Sequence, residues 1–144
     1  MKTQIKQHFA SCLCQSVQLS FAEPVNWIAH CHCTMCQKAN GAAFVTWLGI
    51  NKEKFEITKG KSYLSWYQSS ADASRAHCKN CGTPMLFTSS RWKDEVHVSR
   101  ALVDTTLSHP VDCHAFYDTH VNWSTTDPDL PKRGGQSGTE PLNE

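Results

Sequence analysis

Hydrophobic and polar positions alternate along several short stretches of the chain. Val17, Leu19 and Phe21 share one face of the segment CQSVQLSF, with serine and glutamine on the other, a period of two that is typical of a half-buried strand. Glu95–Ser99 alternates in the same way. Further β-rich runs cover residues 44–50, 55–58, 62–67, 85–87 and 113–117. Turn residues separate these runs at intervals of about 8–12 residues, which predicts an all-β fold of the sandwich or barrel type.

Helix is expected to be scarce. Thr34–Asn40 can form about two helical turns, and Gly41 is suited to the left-handed C-terminal cap. No long amphipathic helix is evident. From Pro131 onward the sequence PKRGGQSGTEPLNE is rich in glycine and polar residues, and such termini usually lack stable structure. We therefore predict one domain over residues 5–131 and a flexible C-terminal tail over residues 132–144.

Length and charge narrow the class of protein. A chain of 144 residues is the size of one domain. Lys and Arg total 14 against 13 Asp and Glu, a net charge of +1, so there is no electrostatic case for nucleic acid or an anionic membrane surface as a partner. No apolar run approaches the roughly 20 residues of a membrane span, and the N-terminus lacks the apolar stretch of a secretory signal. The expected location is the cytoplasm.

Eight cysteines are the most informative feature of the composition. Seven of them fall into three short motifs, namely Cys12-x-Cys14, Cys31-x-Cys33-x-x-Cys36 and Cys78-x-x-Cys81. Disulfides rarely persist in a reducing compartment. Clustered thiols in a chain without an export signal therefore indicate metal binding or catalysis.

The spacing of the motifs allows two partitions of the thiols. Structural zinc takes four ligands in a tetrahedron, whereas catalytic zinc takes three protein ligands and keeps one position open. In the first partition a complete site is formed by Cys12, Cys14, Cys78 and Cys81. The remaining cysteine motif, Cys31 with Cys33 and Cys36, then forms an incomplete site. In the second partition a single zinc ribbon is formed by Cys33, Cys36, Cys78 and Cys81, and spacing by itself leaves both partitions open.

Four stretches of the chain resemble a known family. They are SCLCQSV, CHCTMCQKANGAAFVTWLGI, RAHCKNCGTPM and HAFYDTHVNW, and they recur in the same order across most of the segment from Ser11 to Pro131. In these stretches the chain is similar to the glutathione-dependent formaldehyde-activating enzyme family, which also contains centromere protein V. The chain departs from the family pattern at Gln15, where a glycine usually follows the second cysteine.

The resemblance implies a fold, a cofactor and a division of the thiols. The fold would be a mainly β, β-tent fold of short antiparallel strands held by zinc, with little helix. The cofactor would be Zn²⁺, two ions per chain, with the second site labile. The structural ion would be held by Cys12, Cys14, Cys78 and Cys81. The second, catalytic ion would be held by Cys31, Cys33 and Cys36.

The resemblance also implies an activity of the carbon–sulfur lyase type. The family's reaction is the reversible addition of the thiol of glutathione to formaldehyde, which gives S-hydroxymethylglutathione. A thiol bound to a metal loses its proton, and the thiolate is the nucleophile, so an incomplete thiolate site suits a small thiol and a small aldehyde as substrates. The alternative function is a non-catalytic zinc-binding scaffold, which would use the same cysteines and bind a partner protein.

Two histidines adjoin the predicted metal ligands. His32 lies between Cys31 and Cys33. In an extended segment its side chain points away from both of them, so we expect a supporting or surface role rather than metal ligation. His114, within HAFYDTHVNW, is the best candidate for a polar group near the second metal.

Overall fold

The structure is a computed structural model that describes residues 6–142. The chain divides into two compact units. Unit one comprises the residues up to Asn26 together with Leu48–Ser108, and unit two comprises Trp27–Trp47 together with the residues from His109 onward. Within the described range, no helix is long and apolar enough to cross a membrane.

Short strands dominate both units. The strands are β1 (Gln7–Ser11), β2 (Gln18–Ala22), β3 (Trp27–Cys31), β4 (Val45–Asn51), β5 (Phe55–Lys59), β6 (Leu64–Gln68), β7 (Ala73–Cys78), β8 (Pro84–Ser89), β9 (Glu95–Ser99), β10 (Cys113–Ala115), β11 (Arg133–Gly134) and β12 (Glu140–Pro141). One α-helix, α1 (Thr34–Asn40), is present in the described part of the chain. Single turns of 3₁₀ helix cover Lys52–Lys54, Lys61–Tyr63, Ser90–Trp92, Arg100–Leu102 and Tyr117–Thr119.

Unit one is built from antiparallel pairings. Strands β1, β2 and β5 form a three-stranded sheet in that order. Strands β9, β8, β7 and β6 form a second run of paired strands, in which β4 is the neighbour of β9. The alternation predicted around β2 is confirmed, because Val17, Leu19 and Phe21 are all fully buried. Met85 of β8 and Val98 of β9 are fully buried as well, so the core of this unit consists of the inward-facing residues of short strands.

Unit two contains one parallel pair of strands. Strand β10 runs parallel to β3, with His114 opposite His30, and β4 lies on the other side of β3. Helix α1 follows β3 after a two-residue connection and begins at the N-cap Cys33, whose sulfur accepts a hydrogen bond from the N–H of Cys36. It ends at Gly41, which has the positive φ of 59° that glycine tolerates.

The prediction of a mainly β protein with little helix is confirmed, and the predicted helix Thr34–Asn40 has the observed bounds. Strands β1, β3 and β7 are not among the runs predicted from alternation. Each is short, and all three end in or beside a cysteine motif, which masks the period of two. The parallel pairing of β3 with β10 also differs from the predicted antiparallel arrangement, because a parallel pair joins segments that are distant in sequence and leaves no local turn signal.

The C-terminal segment contains two short strands. Strands β11 and β12 pair antiparallel, with Gly134 opposite Glu140, in the segment predicted to lack stable structure. Gly138 lies against the ring of Phe116, where an added Cβ would come within 2.1 Å of a ring carbon, and its carbonyl accepts the N–H of Phe116. A segment rich in glycine is ordered here because its small residues allow a close approach to an aromatic ring.

Candidate metal centres

A four-thiol cluster lies in unit one. Its members come from the turn after β1 and from the turn that joins β7 to β8, and their sulfur atoms all lie within 4.8 Å of one another. They are Cys12, Cys14, Cys78 and Cys81. The Sγ of Cys14 is 3.7 Å from that of Cys12 and 3.8 Å from that of Cys78.

These separations fit a shared tetrahedral cation. A disulfide requires sulfur atoms about 2.05 Å apart, and all four thiols are free. Four sulfurs placed about 2.3 Å from a central zinc ion would lie about 3.8 Å from one another. The donor set therefore matches structural zinc both in its chemistry and in its spacing.

Two similar turns present the thiols. In the first, the N–H of Gln15 donates to the carbonyl of Cys12 at 3.0 Å, and in the second the N–H of Gly82 donates to the carbonyl of Cys78 at 2.7 Å. The residue after the second cysteine has a positive φ in both turns, 63° at Gln15 and 83° at Gly82. Glycine adopts this conformation without strain, whereas glutamine does not. This difference is a structural reason for the glycine that the family usually has where this chain has Gln15.

Neighbouring groups tune the four thiols differently. Burial raises the pKa of Cys12 to about 11. Hydrogen bonds with Ser16 and Asn80 lower the pKa of Cys14 to about 7, and hydrogen bonds with Thr83 lower the pKa of Cys81 to about 5. Thiolate ligands are thus stabilised on the exposed side of the cluster, whereas the buried thiol of Cys12 requires a cation to lose its proton at neutral pH.

A three-thiol cluster lies in unit two. It is formed by Cys31 at the end of β3, Cys33 at the N-cap of α1 and Cys36 within α1, and the three sulfurs lie within 4.8 Å of one another. Cys31 and Cys36 are buried and Cys33 is half-buried. Among the described residues, no further Cys, His, Asp or Glu ligand atom joins this group.

Crowding of these thiols opposes their ionisation. Hydrogen bonds with Cys33 and Cys36, together with burial, raise the pKa of Cys31 well above its usual value. A cation held by the three sulfurs would remove that penalty, because metal binding and loss of the thiol protons are coupled. The donor set is soft and incomplete, which suits a zinc ion that keeps one position for another ligand.

Spacing left two partitions of the thiols open, and the grouping in the structure corresponds to the first of them. Cys33 and Cys36 cluster with Cys31, and Cys78 and Cys81 cluster with the thiols of the first motif. The structure does not bring together the four thiols of the alternative zinc ribbon as one group. Cys113, the eighth cysteine, belongs to neither cluster and is half-buried.

His32 is buried and outside the three-thiol cluster. Its Nε2 lies 2.9 Å from Nδ1 of His114, which is also buried. Burial and the nearby rings of His114, His30 and His120 lower the pKa of His32 to about 4. As expected, His32 is not grouped with the thiols as a ligand. Because its side chain is buried, it does not have the surface role that the sequence also allowed.

Aromatic residues that the sequence did not single out surround His32. The rings of Phe44 and Tyr117 lie 5.0 and 5.2 Å from the His32 ring, and that of His120 lies 6.4 Å away. Tyr117 and His120 stack on each other at 3.9 Å. The sequence Tyr-Asp-Thr-His did not indicate that Tyr117 and His120 would stack. The stack depends on the 3₁₀ turn between the two residues.

A cation adjoins this aromatic group. The ammonium group of Lys132 lies 5.2 Å from the ring centre of Tyr117, within the range of a cation–π interaction. Two arginines of unit one also lie against aromatic rings, Arg75 against Phe87 and Arg91 against Trp92. Lys38 lies in α1, next to the three-thiol cluster in sequence.

Comparisons with known proteins found a family profile, a relative and a solved structure that are similar to this chain. A sequence profile described as "Glutathione-dependent formaldehyde-activating enzyme" matches residues 7–119. The chain is 25% identical over 93 residues to an uncharacterized lyase of Schizosaccharomyces pombe, a match that covers 65% of this chain and 66% of the yeast protein, just under two thirds of it. A crystal structure of a Rhodobacter sphaeroides protein is similar in fold, with a TM-score of 0.58 and 20% identity, over 69% of this chain and 91% of that one.

Proposed function

Because the chain belongs to the glutathione-dependent formaldehyde-activating enzyme family, we propose that it is a zinc-dependent enzyme of the carbon–sulfur lyase type. Its reaction would be the reversible addition of the thiol of glutathione to formaldehyde, giving S-hydroxymethylglutathione. The observation that carries the proposal is the three-thiol cluster, which stays incomplete beside a complete four-thiol cluster in the same chain. A reducing compartment such as the cytoplasm would keep all seven thiols available.

The two clusters would hold the two ions. The structural ion would be held by Cys12, Cys14, Cys78 and Cys81, and the second ion by Cys31, Cys33 and Cys36. When bound at the second site, zinc would supply a Lewis acid that keeps a thiol ionised at neutral pH. Three protein ligands leave room for one exogenous group, which four would not.

The chain's own residues would hold the reacting groups in place and limit the access of water. Cys31 and Cys36 are buried, and Cys33 is fixed by its sulfur at the N-terminus of α1, where it accepts the N–H of Cys36. The side chain of Asn40 donates to the carbonyl of Cys36 at 3.0 Å within the same helix. In the reaction a sulfur–carbon bond forms while the carbonyl becomes a hydroxyl, so the thiol proton ends on oxygen.

Turnover by a Cys36→Ser variant tests the proposal. With the zinc-loaded protein, glutathione and ¹³C-labelled formaldehyde, we expect ¹³C NMR to show exchange with S-hydroxymethylglutathione faster than in protein-free buffer. Cys36→Ser removes one of three ligands and should return the rate to that of buffer. Cys113→Ser makes the same chemical change outside both clusters and should keep the wild-type rate.

The outcomes separate an enzyme from a scaffold. Wild-type protein that carries two zinc ions by elemental mass spectrometry but does not accelerate exchange would favour the non-catalytic scaffold. An unchanged rate in Cys36→Ser would refute the assignment of the three thiols to the reaction.

A further inference from the structure

Strand β6 is the last strand of its sheet and has a neighbouring strand on one side only. It pairs with β7 in an antiparallel register that runs without a shift from Leu64, opposite Cys78, to Gln68, opposite Ser74. Among residues 6–142, no strand and no isolated bridge pairs with the other side of β6. We call this side the open edge of β6.

Hydrogen bonds at the two ends of β6 show which backbone groups point to the open edge. The N–H of Lys79 donates to the carbonyl of Tyr63 at 2.8 Å. The N–H of Ser69 donates to the carbonyl of Ala73 at 3.0 Å. Both bonds run to the β7 side. Because the bonding direction alternates from residue to residue in an antiparallel pair, the odd-numbered residues in between also face β7, and the even-numbered residues face the open edge.

The open edge therefore presents the backbone groups of Leu64, Trp66 and Gln68. The N–H of Leu64 already bonds to the carbonyl of Lys61 in the preceding 3₁₀ turn. Within the described part of the chain, the carbonyl of Leu64 and both backbone groups of Trp66 and Gln68 have no backbone partner. Such a row of unpaired donors and acceptors is a template for a further strand.

The side chains of β6 do not protect this edge. The strand reads Leu-Ser-Trp-Tyr-Gln and contains no charge and no proline, which are features by which proteins keep a strand edge from pairing. Trp66 and Tyr67 are 48% and 68% exposed, and tryptophan and tyrosine are enriched at protein–protein interfaces. The backbone and the side chains of β6 therefore both favour a partner strand.

The other strand edges are protected. A bridge between Ala10 and Val103 covers β1. A bridge between His114 and Lys132 covers β10. Strand β5 is open on one side but includes a glutamate and a lysine, and β11 and β12 are only two residues long. Of the strands that the structure describes, β6 is the one edge strand with neither a cover nor a charge, and this difference indicates an interaction surface.

We propose that β6 is a homodimer interface, in which it pairs antiparallel with β6 of a second copy of this chain about a twofold axis beside Trp66. The N–H and carbonyl of Trp66 bond to the same two groups of the partner's Trp66. The carbonyl of Leu64 accepts the N–H of the partner's Gln68, and the twofold axis repeats this bond. This register uses only backbone groups that are unpaired in the single chain.

Charge favours a second copy as the occupant of the open edge. Like charges directly opposite each other destabilise a strand pair, and a charge near the twofold axis would face its own copy. Strand β6 has no charge, and the net charge of the chain is only +1, so two copies do not repel each other strongly. The axis also places two half-exposed tryptophan side chains opposite each other, and cross-strand aromatic pairs are stabilising.

Amide hydrogen exchange of the zinc-loaded protein, measured by NMR at a low and a high protein concentration, tests the pairing. The N–H groups of Trp66 and Gln68 should exchange at least about tenfold more slowly at the high concentration, because each then bonds to the partner. The N–H of Tyr67 faces β7 and should exchange slowly at both concentrations, which provides an internal control. An N–H of Trp66 that exchanges as fast as an unpaired amide at both concentrations would overturn the inference.

Matched substitutions test the register. Trp66→Lys sets two cations opposite each other at the axis and should raise the dissociation constant of the dimer by about tenfold or more in sedimentation equilibrium. Tyr67→Lys adds the same charge at a residue that lies opposite the partner's Ser65, and should raise this constant by less than about threefold. Equal effects of the two substitutions would contradict a twofold axis at Trp66.

A mixture of variants separates loss of pairing from loss of the fold. Trp66→Glu should weaken the dimer as Trp66→Lys does, whereas an equal mixture of the two should associate, because opposite charges then meet at the axis. A mixture that stays monomeric although both variants keep the wild-type circular dichroism would reject the pairing. So would a wild type whose mass stays at 16.2 kDa at every concentration. None of these measurements uses turnover, so this inference and the proposed function can fail separately.

Discussion

The two thiol clusters differ in how much of the chain each one joins. The four-thiol cluster joins two turns of unit one, and Cys14 and Cys78 are 64 positions apart in sequence. The three-thiol cluster draws on the end of β3 and the start of α1, so Cys31 and Cys36 are five positions apart. An ion that closes a long loop removes more entropy from the unfolded chain than one that closes a short loop. We therefore expect an ion in the four-thiol cluster to stabilise the fold more than an ion in the three-thiol cluster does.

The largest effect is expected from a ligand of the four-thiol cluster. Cys78→Ser should abolish cooperative folding, because structural zinc contributes on the order of 10–16 kcal/mol of apparent binding free energy, more than the net stability of most domains. Circular dichroism during thermal unfolding and zinc analysis would measure this. A cooperative transition near that of the wild type would show that the cluster does not stabilise the fold.

The matched change in the three-thiol cluster should be much milder. Cys36→Ser replaces a buried sulfur with a hydroxyl in α1, which should cost about 1–3 kcal/mol and leave a cooperative transition. The same protein should carry one zinc ion, whereas we expect two in the wild type. Unfolding as severe as that of Cys78→Ser would remove the distinction between the clusters.

Chelation should separate the two ions in the wild type. An ion with three protein ligands and one open position exchanges more readily than one enclosed by four, so a mild chelator should remove the ion of the three-thiol cluster first. Elemental mass spectrometry should pass through a plateau at one zinc per chain while circular dichroism stays unchanged. Simultaneous loss of both ions would contradict the expected lability of the second site.

The smallest effects are expected in the two turns that present the four thiols. Gln15→Gly should raise the free energy of unfolding by about 0.5–1 kcal/mol, since it relieves a strained left-handed residue. Gly82→Ala should lower it by about 1 kcal/mol, because nothing within 4 Å of the added Cβ compensates the strain of its positive φ. Denaturant titration measures both changes, and equal signs for the two would show that φ does not determine them.

The sequence was sufficient to predict most helices and strands whose formation depends on their own residues. Helix α1 follows from its capping residues, and Gly41 ends it as predicted. Strand β9 has the predicted bounds Glu95–Ser99 because its alternation is uninterrupted. Strands β1 and β7 were not predicted, since their pairing in unit one, rather than alternation in their own residues, places them in sheets.

The pairing of His32 with His114 could not be predicted from the sequence for a different reason. His32 and His114 are 82 positions apart, and the parallel pairing of β3 with β10 brings the two segments together. The Nε2 of His114 lies 2.9 Å from the carbonyl oxygen of Asp127, a backbone group that every residue possesses. No residue type along the chain marks such a contact.

By itself, the sequence determined the identity and local spacing of the thiols, the family they resemble and the period of most strands, because these properties belong to neighbouring residues. The tertiary structure decided which thiols share a cluster, that Gln15 has a positive φ, and that Nδ1 of His32 is buried without a partner among the described residues. These properties depend on segments that are far apart in sequence, and on burial, which acts on a side chain only after the sheets have paired.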